Sequence, residues 1–221
     1  MKKTLVLLLV FTAFTAFSAE FMGEAKNRTS AIIGKILKHP FLLKLGNGTL
    51  SEKIFQTYAV QDNIYSWKYA HPLSLLAFKT QNYAEREFFL RGAYGSTQEW
   101  NGAFPEDVQP CPSCEAYSLF ELECAKKSFG KGLASIAPCY VVYAHVAEWL
   151  KKNTVPSNPY QEWIDSYAKP GFQNHTLVLE GFLNRVAENV TSEEFEEMLD
   201  TYFNSTNYEL KFWNDVYYEQ P

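Results

Sequence analysis

Lysine and arginine are sparse in this 221-residue chain. There are 20 of them against 25 acidic residues, for a formal net charge of −5, and they occur in runs no longer than two. Gripping a nucleic-acid backbone needs a clustered cationic surface, so no nucleic-acid partner is expected. Histidine is scarce as well, with four residues and no Glu-x-x-His sequence, which removes the ligand pair on which a di-iron carboxylate bundle is built. One Cys-x-x-Cys occurs, Cys111-Pro112-Ser113-Cys114, without a second such pair or a His pair. A structural zinc site would need two more ligands at suitable spacing. No run alternates polar and apolar residues as a half-buried strand does, and no hairpin sequence, internal repeat or linker is evident. What the chain does have is apolar and aromatic side chains: 47% of residues are hydrophobic and 16% aromatic, including 17 Phe and 14 Tyr. Such a chain buries enough surface to offset its ordering entropy, and its length suits one domain with a substantial core.

The first residues read as a separate object. Lys2 and Lys3 precede an apolar run over residues 5–17, and Ala16, Ser18 and Ala19 supply small residues after it. This is the three-part form of a secretory signal peptide, with cleavage expected after Ser18. Residues 1–18 are therefore set apart from a domain over 19–221, and the expected location is secreted, lumenal or periplasmic, with no membrane contact once the signal is removed. An uncleaved anchor is the competing expectation. Five Asn-x-Thr sequons, at Asn27, Asn47, Asn174, Asn189 and Asn204, agree with export. In an oxidising compartment a disulfide is expected, and the 111–114 pair lies in a Pro-rich loop where a short bridge could form.

Helical periodicity then recurs to the end. A helix over 20–39 should end at Pro40, and a connection follows through Gly48. Thr49-Leu50-Ser51-Glu52 has the form of a capping box, opening a helix on which Phe55, Tyr58, Asp62, Tyr65 and Tyr69 share a face. His71-Pro72 should kink or divide that helix. Further helices are expected over 83–99, 115–129, 160–168 and 172–190, with a turn at Trp100-Asn101-Gly102 and a loop marked by Pro105, Pro110 and Pro112. Thr191-Ser192-Glu193-Glu194 is a second capping box and opens the last helix. The expected fold class is all-α, a single-domain helical bundle.

The stretch over 136–150 is the candidate centre of the chemistry. Cys139 and Tyr143 sit one helical turn apart on one face. A helix start or kink at Pro138 would leave Cys139 beside free N–H groups, a setting that lowers a thiol pKa. A buried structural cysteine is the other reading of the same residues.

Several motifs in order carry a resemblance. They are His39-Pro40-Phe41, Tyr58-x-x-Gln61-Asp62-x-x-Tyr65, Pro138-Cys139-Tyr140-x-x-Tyr143, Pro159-Tyr160-x-x-Trp163-Ile164-x-x-Tyr167 and Tyr208-Glu209-x-x-Phe212-Trp213. In these the chain resembles the cysteine-containing branch of the TenA family, also called thiaminase II or aminopyrimidine aminohydrolase, which has a haem-oxygenase-like helical fold. The resemblance implies Cys139 as nucleophile, Glu209 as acid, and Asp62, Tyr65, Tyr143, Tyr167 and Tyr117 around the substrate. It implies hydrolysis of 4-amino-5-aminomethyl-2-methylpyrimidine to the hydroxymethyl compound, and less efficiently of thiamine, with no metal and no cofactor, in a homotetramer. Two features depart from the family: His71-Pro72 interrupts a helix that the family continues, and a secretory signal is unusual for cytoplasmic salvage. A haem enzyme would need an axial His, and none of His39, His71, His145 and His175 stands in an arrangement of that kind. A Cys-His hydrolase would need a His facing Cys139, yet His145 lies six residues on. The alternative of a different class is a secreted protein that binds an aminopyrimidine or thiamine without turnover.

Overall fold

The computed structural model describes residues 21–98 and 108–218. The expected signal peptide, Trp100-Asn101-Gly102 and Pro105 lie outside the described residues. Among the described residues nine helices follow one another without a strand: α1 Phe21–Leu37, α2 Pro40–Gly46, α3 Glu52–Lys79, α4 Tyr83–Gln98, α5 Pro112–Lys127, α6 Phe129–Asn153, α7 Gln161–Ala168, α8 Pro170–Ala187 and α9 Ser192–Tyr218.

Local chemistry explains most of the boundaries. The capping box before α9 forms as expected: the Glu194 backbone N–H donates to Thr191 Oγ at 3.2 Å, and Glu194 Oε2 accepts from the Thr191 N–H at 2.9 Å. The box expected at Thr49 does not form. Ser51 is the N-cap of α3 instead, accepting from the Ile54 N–H, and Thr49 is engaged with Asn47. The connection expected after His39 contains a short helix, α2, because His39 caps it through Nδ1 and Pro40 takes the first helical position, where no N–H is needed.

The two internal prolines are the larger corrections. Pro72 does not divide α3. Its missing N–H would orphan the Lys68 carbonyl four residues back, and the ring of His71 takes that carbonyl at 2.9 Å. Pro138 does not start a helix either. It lies inside α6, which begins at the Ser128 cap ten residues earlier. The carbonyls just before it receive hydroxyls from neighbouring helices: Tyr69 Oη donates to Ile136 O at 2.9 Å, and Ser205 Oγ to Ser135 O.

α6 is the axis of the core. It packs against α3, α5, α7, α8 and α9, and Leu133, Ala134, Ile136, Ala137, Val142, Val146 and Leu150 are buried along it. α6 is long and apolar enough to cross a membrane, but 67% of its apolar window is buried inside the fold. Packing against other helices accounts for that composition. α5 and α6 approach closely at Gly132, where an added Cβ would meet Ala125 Cα at 2.7 Å and Leu76 Cδ2 at 3.0 Å. The α4–α8 contact is tied by the buried Glu85 carboxylate, which accepts from Arg185 and Thr80.

Gly132→Ala should therefore destabilise the fold by about 1–3 kcal/mol, because backbone must move to admit the methyl. Gly181→Ala in α8, with nothing within 4 Å of its Cβ, should stabilise by up to about 1 kcal/mol. Denaturant midpoints at constant m-value measure both.

Candidate active site

Three helices bring polar chemistry to one place. α3 carries Asp62 and Tyr65 one turn apart, α6 carries Cys139 and Tyr143 one turn apart, and α9 carries Glu209. All five line a single pocket. Tyr117 from α5 and Tyr167 from α7 line it too, so the seven residues singled out in the sequence meet there.

Aromatic rings form much of the wall. Tyr65 stacks between Tyr69, with ring centroids 5.4 Å apart, and Tyr117, at 5.1 Å, and Tyr117 stacks in turn on Tyr208 at 5.5 Å. Across the pocket Tyr143 packs on Tyr167 at 4.8 Å, while its hydroxyl meets that of Tyr58 at 3.2 Å. Tyr58 is fixed by a parallel stack on Trp213, at 5.4 Å and 2°. Faces of this kind suit a flat, π-electron-bearing ligand.

The electrostatics are one-sided. No Lys, Arg or His is among the described residues that line the pocket. Burial pushes the Glu209 carboxyl up to about 8, with the charge of Asp62 adding to the shift. The hydroxyl of Tyr117 pulls the other way without reaching hydrogen-bond geometry, for neither Tyr117 Oη nor Glu209 Oε1 has a hydrogen-bond partner. Burial likewise pushes the Cys139 thiol well above its ordinary range, reinforced by Glu209 and Glu121 and opposed by the Tyr65 hydroxyl. The lowered thiol pKa expected from a helix start at Pro138 is thus reversed: Cys139 lies mid-helix, where the N–H groups are already used, in a pocket without a cation.

Glu121 was not singled out by the sequence. It is fully buried on α5, one turn after Tyr117, and Tyr65 Oη donates to its Oε1 at 2.7 Å while Oε2 has no partner. Desolvation and the nearby Glu209 raise its pKa well above the carboxylate range, against the Tyr65 hydrogen bond. The available signal was its spacing of four from Tyr117, but a lone Glu on a helix is more often solvated. Ser66, Tyr69, Tyr140, Phe172 and Phe212 also line the pocket; of these Tyr69 lay on the aromatic face of α3, and Tyr140 and Phe212 lay in the motifs that carry the resemblance.

The histidines are elsewhere. His39 caps α2 and meets Asn214, His71 holds the Lys68 carbonyl, His145 lines a separate cavity near Thr29 and Tyr202, and His175 stacks on Phe88. Among the described residues no group of three or more His, Cys, Asp or Glu is arranged to hold a metal ion.

Comparison with known proteins points one way. The family model described as the TENA/THI-4/PQQC family matches residues 26–220. An uncharacterized protein of Haemophilus influenzae is 30% identical over 194 residues, covering 80% of this chain and 89% of that protein. The aminopyrimidine aminohydrolase of Bacillus subtilis is 28% identical over 194 residues, covering 81% and 82% respectively. Among solved structures, a TenA homologue from Pyrococcus furiosus superposes with a TM-score of 0.80 at 22% identity, over 89% of this chain and all of that one. A domain with a haem-oxygenase-like fold from Shewanella denitrificans gives 0.66 at 14% identity, over 90% of this chain and 92% of its own. At those identities the structures establish the fold alone.

The raised carboxyl has a consequence for stability. Unfolded, Glu209 would release its proton near pH 4.5; folded, it keeps it to about 8. The native state therefore binds more protons than the unfolded state between those values, and stability falls as pH rises through that window. Glu209→Gln should remove this fall, so its Tm advantage over the wild type should grow by several degrees between pH 5 and pH 8 in thermal unfolding at fixed ionic strength.

Proposed function

The chain belongs to the TENA/THI-4/PQQC family, and from that premise we propose that it is an aminopyrimidine aminohydrolase of the thiaminase II type. The observation that carries this reading is the convergence of Cys139, Glu209 and Asp62 in one buried, aromatic-walled pocket without a cationic side chain. Such a pocket favours a flat ligand that donates N–H groups or carries positive charge, as an aminopyrimidine with an aminomethyl arm does.

The chemistry follows from the residues. Water is a poor nucleophile and an amine a poor leaving group, so direct displacement at the methylene is slow. Addition of the Cys139 thiolate to the pyrimidine ring gives an electron-rich intermediate that expels the amine from the methylene; water then adds there and the thiolate departs. A thiolate in a pocket without cations is costly on its own. Moving the thiol proton to a neighbouring carboxylate creates no net charge and is the cheaper route. Two carboxyls are at hand, and burial, reinforced at Glu121 by the charge of Glu209, favours their protonated forms. Glu209, which faces the pocket, serves as the acid toward a ring nitrogen and the departing amine. Glu121, joined to Tyr65 by its hydrogen bond, serves as the acceptor behind the thiol. Asp62 accepts from the exocyclic amine and orients the ring, with Tyr65, Tyr117, Tyr143 and Tyr167 around it.

Export by the N-terminal segment and assembly with further copies of the chain belong to the same proposal. The exposed rings of Phe78, Tyr83 and Tyr94 offer apolar surface for that assembly.

Ammonia release from 4-amino-5-aminomethyl-2-methylpyrimidine tests the reading. Cys139→Ser should lower kcat/KM by at least about 10³-fold. Glu121→Gln, which keeps an acceptor for Tyr65 but cannot take a proton, should lower kcat by about 10²-fold with little change in ligand affinity. Tight binding of the pyrimidine by the wild type with no ammonia released would support a binding protein instead.

A further inference from the structure

Two thiols that the proposed chemistry does not use stand together at the start of α5. Cys111 is the N-cap and Cys114 the third residue of the helix, with Pro112 at its first position. The N-cap and the third residue of a helix lie within its first turn, so the two side chains are neighbours at the start of α5. Cys-x-x-Cys at a helix start is the setting in which a thiol pair becomes redox-active. Both are free thiols.

Their surroundings are unequal. Cys114 is wholly buried, with Sγ directed at the Gln61 carbonyl at 3.7 Å. Cys111 is partly exposed, with Sγ 3.5 Å from Ser113 Oγ and no cap bond to the helix backbone. The Cys114 thiol brings Cys111 down to about 7, against desolvation, with help from Ser113 and opposition from Asp215, whose carboxylate holds the Ser113 N–H. The same neighbour and burial push Cys114 well up, with Asp62 adding to the rise and Lys68 opposing it. A partly exposed thiolate at a helix start beside a buried, protonated partner is the arrangement of an attacking and a resolving cysteine.

We propose that Cys111 and Cys114 form a redox-active dithiol that exchanges with low-molecular-weight disulfides, Cys111 attacking and Cys114 resolving. The Cys111 thiolate attacks one sulfur of RSSR, forming a mixed disulfide and releasing one thiolate. Cys114 then loses its proton and attacks the Cys111 sulfur, releasing the second. The net change is two protein thiols and RSSR giving one internal disulfide and two RSH, with the protein oxidised and the small disulfide reduced. This site is separate from the pocket thiol and does not rest on the pyrimidine reading.

The test equilibrates the folded full chain with mixtures of glutathione and glutathione disulfide, quenches by alkylation and assigns each cysteine by peptide mass. The expected result is an internal Cys111–Cys114 bridge that grows with the oxidised fraction. Cys114→Ser should hold glutathione at Cys111, Cys114→Ala should do the same, and Cys111→Ser should leave Cys114 unmodified. Iodoacetamide at pH 7 should label Cys111 roughly tenfold faster than Cys124, whose burial raises it to about 11. The proposal is overturned by free thiols at both positions in every mixture, by a persistent mixed disulfide in the wild type, or by equal adduct formation at Cys111 and Cys114 in the two serine variants.

Discussion

Burial of α6 on nearly every side sets the terms for the rest of the molecule. A helix this apolar must be covered, and α3, α5, α7, α8 and α9 do so. Just before Pro138 the neighbouring helices donate hydroxyls to the α6 backbone, Tyr69 of α3 to the Ile136 carbonyl and Ser205 of α9 to that of Ser135. These contacts bring α3 and α9 against the segment that carries Cys139, so the packing that covers α6 also assembles the pocket. Tyr69 illustrates the double duty: its ring stacks in the pocket wall while its hydroxyl holds the core helix.

The pocket is charged in one sense only, and this decides where protons reside. Asp62, Glu209, Glu121 and Cys139 are close enough to shift one another, with no cation lining the space. In such a place ionisation is suppressed and acids keep their protons. A carboxyl held protonated near neutral pH can donate, and an orphaned carboxylate oxygen can accept, which is what acid–base work on a nitrogen heterocycle requires.

The four cysteines show how far environment governs one side chain. Cys139 and Cys124 are pushed up by burial, Cys114 by its neighbour and burial, and Cys111 alone is brought down. Their spacing along the chain marks Cys111 and Cys114 as a pair but does not set the protonation of any of the four. The difference lies in which carboxylates, thiols and hydroxyls the fold sets beside each.

By itself the sequence determined the all-helical class, most helix boundaries and the seven residues that line the pocket. These follow from interactions within a few residues, such as the Thr191–Glu194 cap, the turn-by-turn spacing of Asp62 with Tyr65 and Cys139 with Tyr143, and from the order of the motifs. The tertiary structure alone decided that Pro72 and Pro138 sit in unbroken helices: at Pro72 the His71 ring takes the Lys68 carbonyl, and Pro138 lies in a helix that its neighbours cover on nearly every side. It also decided the protonation of Cys139 and the part of Glu121. A pKa depends on burial and on charges brought close from distant stretches of chain, and neither exists until α3, α5, α6 and α9 have closed around one another.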